Sequence, residues 1–207
     1  MYRNTWDMRH QKPSESSLIG SAARIVRPRV AYVAQYDSPV KRTLVGIRTS
    51  AASLFIAWLI HDVEEAFTFP ATSRIIAARL GSSRILVTPA QSAIAIALMG
   101  LLVGGACARG IQTNGKSRLY RAVTAGLEAH VATHVLASVV LKRYTAGLVT
   151  APFVMLPGAR ISRASLRRSA TPLTAGDTAR GAALMLSAAL ASHFVARLAC
   201  PGSRPSS

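Results

Sequence analysis

The segment His-Asp-Val-Glu-Glu, His61 to Glu65, closes a run without charge, "SAASLFIAWLI", and puts one imidazole and three carboxylates at its end. On a helix, residues four apart share a face. His61 and Glu65 therefore point the same way, with Glu64 beside them and Asp62 about 100° around the axis. A second pair with this spacing, His130 and His134, stands in "HVATH". A histidine followed four residues later by a histidine or glutamate offers two donors to one point above the helix, which is how helices hold metal ions. Three or four nitrogen and oxygen ligands of this kind suit zinc or non-haem iron.

The elements that must position these groups are apolar. Half of the 207 residues are hydrophobic and only 16% are charged, yet the net charge is +17. Such a balance fits a polytopic membrane protein with basic loops or a nucleic-acid binder. Five segments near the length of a bilayer crossing, roughly 17 to 25 residues, are read at about 49–67, 88–108, 122–141, 144–159 and 181–199. The expected fold is all-α, a membrane bundle of about five transmembrane helices. The fourth segment is short and holds Pro152 and Pro157, so a kink or a partial entry is expected. Residues 1–43 read as a basic, disordered tail, or in part an artefact of start-site choice, 44–200 as the helical domain, and 201–207 as a second tail. No cleavable leader is evident.

Arginine and lysine positions decide between the two classes. With the N-terminus in the cytoplasm, nine precede the first span, four lie between the second and third, and five between the fourth and fifth. The opposite side receives three, two and two of the 25. This asymmetry is that of a multi-pass protein of the plasma membrane. It accounts for the basic "RISRASLRR" loop, and no aromatic platform supports nucleic-acid binding.

Four of the five histidines, and Asp62, Glu64, Glu65 and Glu128 among the eight acids, fall in these apolar segments. Ionisable groups at membrane depth are costly and mark function. In this topology the first, third and fifth segments run outward together. They bring His61, Glu65, His130, His134 and His193 to one level in the outer half of the bundle, a set of metal ligands, with Glu64 as base or supporting group. Glu128, about 160° from His130, is assigned to helix packing, and Asp62 lies outside the ligand set. Gly100 and Gly104 form a small-xxx-small pair, which packs within the chain or supports an oligomer.

At "HDVEE" and "RYTAGLVTAPFVMLP" the chain resembles the HXXEE-motif family of small bacterial integral membrane proteins. His61, Glu64 and Glu65 match its signature. His130 and His134 resemble its later histidines, and Tyr144, Gly147, Leu148, Thr150 and Pro157 its last stretch, with Ala146 where proline is expected. The likeness extends over about residues 45–200. It implies architecture and site, not a reaction.

Three functions remain open on the sequence. The first is a membrane-embedded metal-dependent enzyme using zinc or iron on a lipid-like or quinone-like substrate. The second is a proton-coupled transporter, for which no inverted repeat is seen. The third is a structural or assembly partner. An intramembrane protease similar to the CAAX-protease-like family is disfavoured, because Phe69 stands where that pattern has arginine.

Overall fold

The computed structural model describes residues 39–201. Residues 1–38 and 202–207, which hold most of the expected tails, lie outside the described part; residues 39–43, read as the end of the first tail, belong to the first helix. Within it the chain is all-α: α1 (Pro39–Leu80), α2 (Pro89–Gln112), α3 (Arg118–Leu141), α4 (Leu156–Arg168) and α5 (Ala175–Ala199).

Local chemistry starts these helices where the sequence allows. Thr88 and Gln91 form a capping box ahead of α2, with Pro89 in the first turn, where its missing N–H costs nothing. Thr174 and Asp177 cap α5 in the same way. The Ser117 hydroxyl accepts from the Tyr120 N–H at the start of α3.

Contacts at the two ends fix the directions. Arg121 of α3 donates to Pro172 O and Asp177 at the start of α5. At the other end Arg79 of α1 donates to the last carbonyls of α3, Val140 and Leu141. Gln91 at the start of α2 donates to Cys200 O just beyond α5, at 2.8 Å. Helices α1, α3 and α5 thus run in parallel, as the charge asymmetry predicts, and α2 runs against them.

Three helices, α2, α3 and α5, are long and apolar enough to cross a membrane. Large apolar side chains face outward from the bundle, among them Leu101 at 75% and Phe153 at 77% exposure. In water such a surface would be a liability; against lipid it is the expected exterior.

Two boundaries differ from expectation. Helix α1 does not stop at Phe67 but continues through Pro70 to Leu80, 42 residues in all. Its length is about 63 Å, roughly twice a bilayer's hydrocarbon thickness of about 30 Å. Proline removes one N–H from the ladder, but tertiary bonds hold the continuation. The Ser73 hydroxyl accepts from Val87 N, the Thr72 hydroxyl from Ala146 N, and Arg79 reaches α3.

The fourth segment is not one helix. Residues 142–150 form a loop, Ala151–Met155 a π-turn containing Pro152, and only then does α4 begin. Non-helical backbone is tolerated at membrane depth where protein satisfies it. Here Thr145 and Ala146 are buried, and side chains of α1 and α3 take up the polar groups of the loop.

Glycines set the closest approaches. A Cβ at Gly181 would lie 2.2 Å from Ala122 O, and one at Gly126 would lie 2.6 Å from Gly181 O. Helices α3 and α5 therefore touch backbone to backbone. Gly158 of α4 meets Ala57 of α1 in the same manner, 2.5 Å from its Cβ. Gly100 and Gly104 face Trp58 and Phe55 of α1, so this pair serves packing within the chain.

Candidate metal centre

The signature on α1 and the pair on α3 meet. One ligand atom from each of His61, Glu65, His130 and His134 lies within 4.8 Å of the others. Ring centroids are 4.7 Å apart for His61 and His134, and 4.4 Å for His130 and His134. The i, i+4 spacing places each pair on its helix face, and the parallel course of α1 and α3 brings the faces to one level. His61 is 1% exposed and His134 also buried.

Hydrogen bonds around the rings determine their tautomers. His134 Nδ1 lies 2.8 Å from Ala146 O. A carbonyl only accepts, so Nδ1 carries the proton and Nε2 a lone pair. Thr133 Oγ1 donates to His130 O at 2.7 Å and lies 3.1 Å from His130 Nδ1. Having given its one proton to the carbonyl, the hydroxyl accepts from Nδ1. Thr150 Oγ1 donates to Glu64 Oε2 at 2.5 Å and lies 2.9 Å from His61 Nδ1, which therefore donates to it.

All three Nε2 atoms are left with lone pairs. His130 and His134 hold theirs 2.9 Å apart, and His61 Nε2 is buried with no hydrogen-bond partner among the described residues. The Glu65 carboxylate stands beside the same rings, its Oε1 3.7 Å from His134 Nδ1. One donor atom from each of the four residues lies within 4.8 Å of the others, and each Nδ1–H has an oxygen acceptor behind it, an arrangement that a cation would complete.

The loop at 142–150 supplies most of that backing. Ala146 O and Thr150 Oγ1 orient two of the rings. Gly147, at φ +76, passes so close that a Cβ would lie 2.5 Å from His61 Cε1 and 2.7 Å from His134 Nδ1. Glu64 ties the loop to α1. Its carboxylate accepts from Thr150 N at 2.8 Å, Thr150 Oγ1, Val149 N and the Tyr144 hydroxyl. Both its oxygens are engaged, so the geometry gives Glu64 the work of positioning this loop.

The remaining sequence candidates separate. His193 is not in the group of four; it stacks on Phe69 with centroids 5.0 Å apart and borders a cavity next to the centre. Glu128 pairs with Arg163 of α4 at 2.6 Å, the packing role expected of it. Asp62 is buried and lines the same cavity as His193. Sequence reasoning missed the parts played by Thr72, Thr133 and the Ala146 carbonyl. Gly147 and Thr150 were visible as motif positions, but nothing in their identities indicated that they back the histidines.

A family described as proteins of unknown function with an HXXEE motif matches residues 52–161, and the chain belongs to it. The matched region spans the signature, the histidine pair, the loop and the first turn of α4. No curated protein and no solved structure shows a significant match.

Proposed function

We propose that this member of the HXXEE family is a multi-pass plasma-membrane protein whose bundle holds a divalent zinc or iron ion on His61, Glu65, His130 and His134. The ion would serve a reaction on a lipid-like substrate. One observation carries the reading: three imidazoles from two helices have their Nδ1 atoms against oxygens, and one donor atom from each, with one from Glu65, lies within 4.8 Å of the others. Structural polar packing would pair these atoms through protons; instead His61 Nε2 is buried and unpaired.

Three nitrogens and one oxygen form a donor set for either metal. A cation there supplies Lewis acidity to a polar group brought beside it. The protein's own part is to orient the rings through Thr150, Ala146 and Thr133, to keep water away with the buried faces of α1 and α3, and to admit substrate through the adjoining cavity. His193 stands across that cavity and is assigned to substrate, not to the metal. The expected topology has five membrane-associated helical segments with the N-terminus cytoplasmic, as the arginine distribution supports.

The test is metal analysis of the full chain extracted from membranes in mild detergent. About one zinc or iron per chain is expected, lost in His61→Ala and His134→Ala but kept in Glu128→Gln. Metal at background level in the unaltered chain, after supplementation with both ions, would overturn the reading.

A further inference from the structure

The centre opens on a cavity of about 210 Å³ between α1, α2, α3 and α5, walled by Trp58, Phe69, Met99, Leu127 and Leu190. A second hollow, of about 350 Å³, continues it between α3 and α5, and the two share His130, Met185, Leu186 and Ala189. Together they line α5 from Ala182 to His193, about 16 Å at 1.5 Å per residue. Ala129, Ala182 and Ala189, which line it, carry no side chain long enough to fill it.

Two polar side chains outside the ligand set face this apolar space. Asp62 is 5% exposed, and its carboxyl group makes no hydrogen bond to any described residue. His193 keeps a buried Nδ1 without a partner among the described residues while its ring lies on Phe69. Buried polar atoms are costly unless hydrogen-bonded. A carboxyl oxygen that accepts and a ring nitrogen that donates in its Nδ1–H tautomer, bordering one cavity, are both satisfied by a group that donates and accepts at once.

We infer that the groove binds a single hydrocarbon chain ending in a hydroxyl, the hydroxyl donating to Asp62 and accepting from His193 Nδ1–H, with the tail lying along α3 and α5 past Met185 toward Gly126. A carboxylate head would bring a charge into this apolar space, which costs far more than a neutral hydroxyl. A plain alkane would leave both polar groups unsatisfied. This inference deepens the metal reading by naming the substrate as a long-chain alcohol whose head stands next to Glu65 and His130. It does not require the metal for binding, since neither Asp62 nor His193 is a ligand.

The test uses the full chain in lipid nanodiscs and a dodecanol carrying a photoreactive diazirine on its tail. Crosslinks are expected on the stretch of α5 from Met185 to Leu190. Dodecanol should displace the probe at least about tenfold better than dodecane or dodecanoate, as one buried hydrogen bond provides. His193→Ala should remove that advantage, and Ala189→Trp should abolish crosslinking; should Ala189→Trp fail to fold, His193→Ala alone decides. Dodecane competing as well as dodecanol would show a crevice filled by any lipid tail and overturn the inference. Crosslinks confined to outward-facing positions such as Leu101 and Phe153, unchanged by either substitution, would overturn it as well. Crosslinking that persists in a chain shown to bind no metal would contradict the metal reading alone. A metal-loaded chain without crosslinks would contradict this inference alone.

Discussion

His130 and His134 hold their Nε2 atoms 2.9 Å apart while their Nδ1 protons are given to Thr133 and Ala146. Two lone pairs at that separation repel unless a cation lies between them. Removing either ring therefore removes the reason for the other's position. His134→Ala should lower metal affinity by at least about a hundredfold, comparable to or beyond what loss of a supporting group costs. Competition against a calibrated chelator measures it, and unchanged affinity would mean that the pair is joined by a proton.

Glu64 and Glu65 are neighbours in the chain with different tasks. Glu65→Gln removes a ligand oxygen's charge, whereas Glu64→Gln weakens four hydrogen bonds that hold the loop. The expected outcome is a loss of about 10- to 100-fold in metal affinity for Glu64→Gln, partly reproduced by Tyr144→Phe. Hydrogen exchange at Val149 and Thr150 should rise in Glu64→Gln and stay unchanged in Glu65→Gln. Equal exchange in both would show that Glu64 does not secure the loop.

Gly147 sits at φ +76 against two ligand rings. Gly147→Ala meets both a strained backbone and a steric clash, each of order 1–3 kcal/mol. The loop must then lift from the histidines. A lowered thermal midpoint in detergent, together with loss of metal at ordinary supplementation, is the result to look for. A variant as stable and as metal-loaded as the parent would mean that the loop has room the structure does not show.

Much of this was legible in the chain itself. The i, i+4 spacings of His61 with Glu65 and of His130 with His134 fix faces, and the arginine asymmetry fixes the parallel course of α1 and α3; together they predict the cluster. His193 was placed by depth alone, and depth does not determine rotation about the helix, so its ring turned out to face the cavity. The first segment was read as ending near Phe67, yet bonds from Ser73, Thr72 and Arg79 to distant parts of the chain carry the helix on through Pro70. Pro152 and Pro157 led to the expectation that the fourth segment, 144–159, kinks or enters the membrane only in part, but not to the loop at 142–150. Its conformation follows from Glu64, eighty residues away from Tyr144, which no local pattern reveals.

Packing of α3 on α5 rests on Gly126 and Gly181, which were not recognised because they lie on different helices and form no motif within either. Gly126→Leu or Gly181→Val should prevent stable folding, since the added carbons would enter the opposing backbone. Gly105→Ala, with nothing within 4 Å of the new Cβ, should instead be neutral, or stabilise by up to about 1 kcal/mol as alanine replaces glycine in a helix. Size-exclusion profiles and thermal midpoints separate these outcomes. A well-folded Gly181→Val would mean that the two helices stand further apart.

If metal binds the folded bundle and not the unfolded chain, it stabilises by mass action, about 2.7 kcal/mol at a hundredfold excess over the dissociation constant. Dialysis against a strong chelator should lower the thermal midpoint of the parent, and restoring zinc or iron should raise it again. The His61→Ala chain should respond to neither treatment. A parent midpoint indifferent to chelation would argue for purely structural histidines.

The central claim is tested most directly by X-ray absorption at the metal edge of the purified chain. The account predicts a spectrum dominated by imidazole scattering, about three nitrogen ligands and one carboxylate oxygen at roughly 2.0–2.2 Å, with the imidazole contribution reduced in His130→Ala. A spectrum showing oxygen ligands alone, unchanged by that substitution, would contradict it.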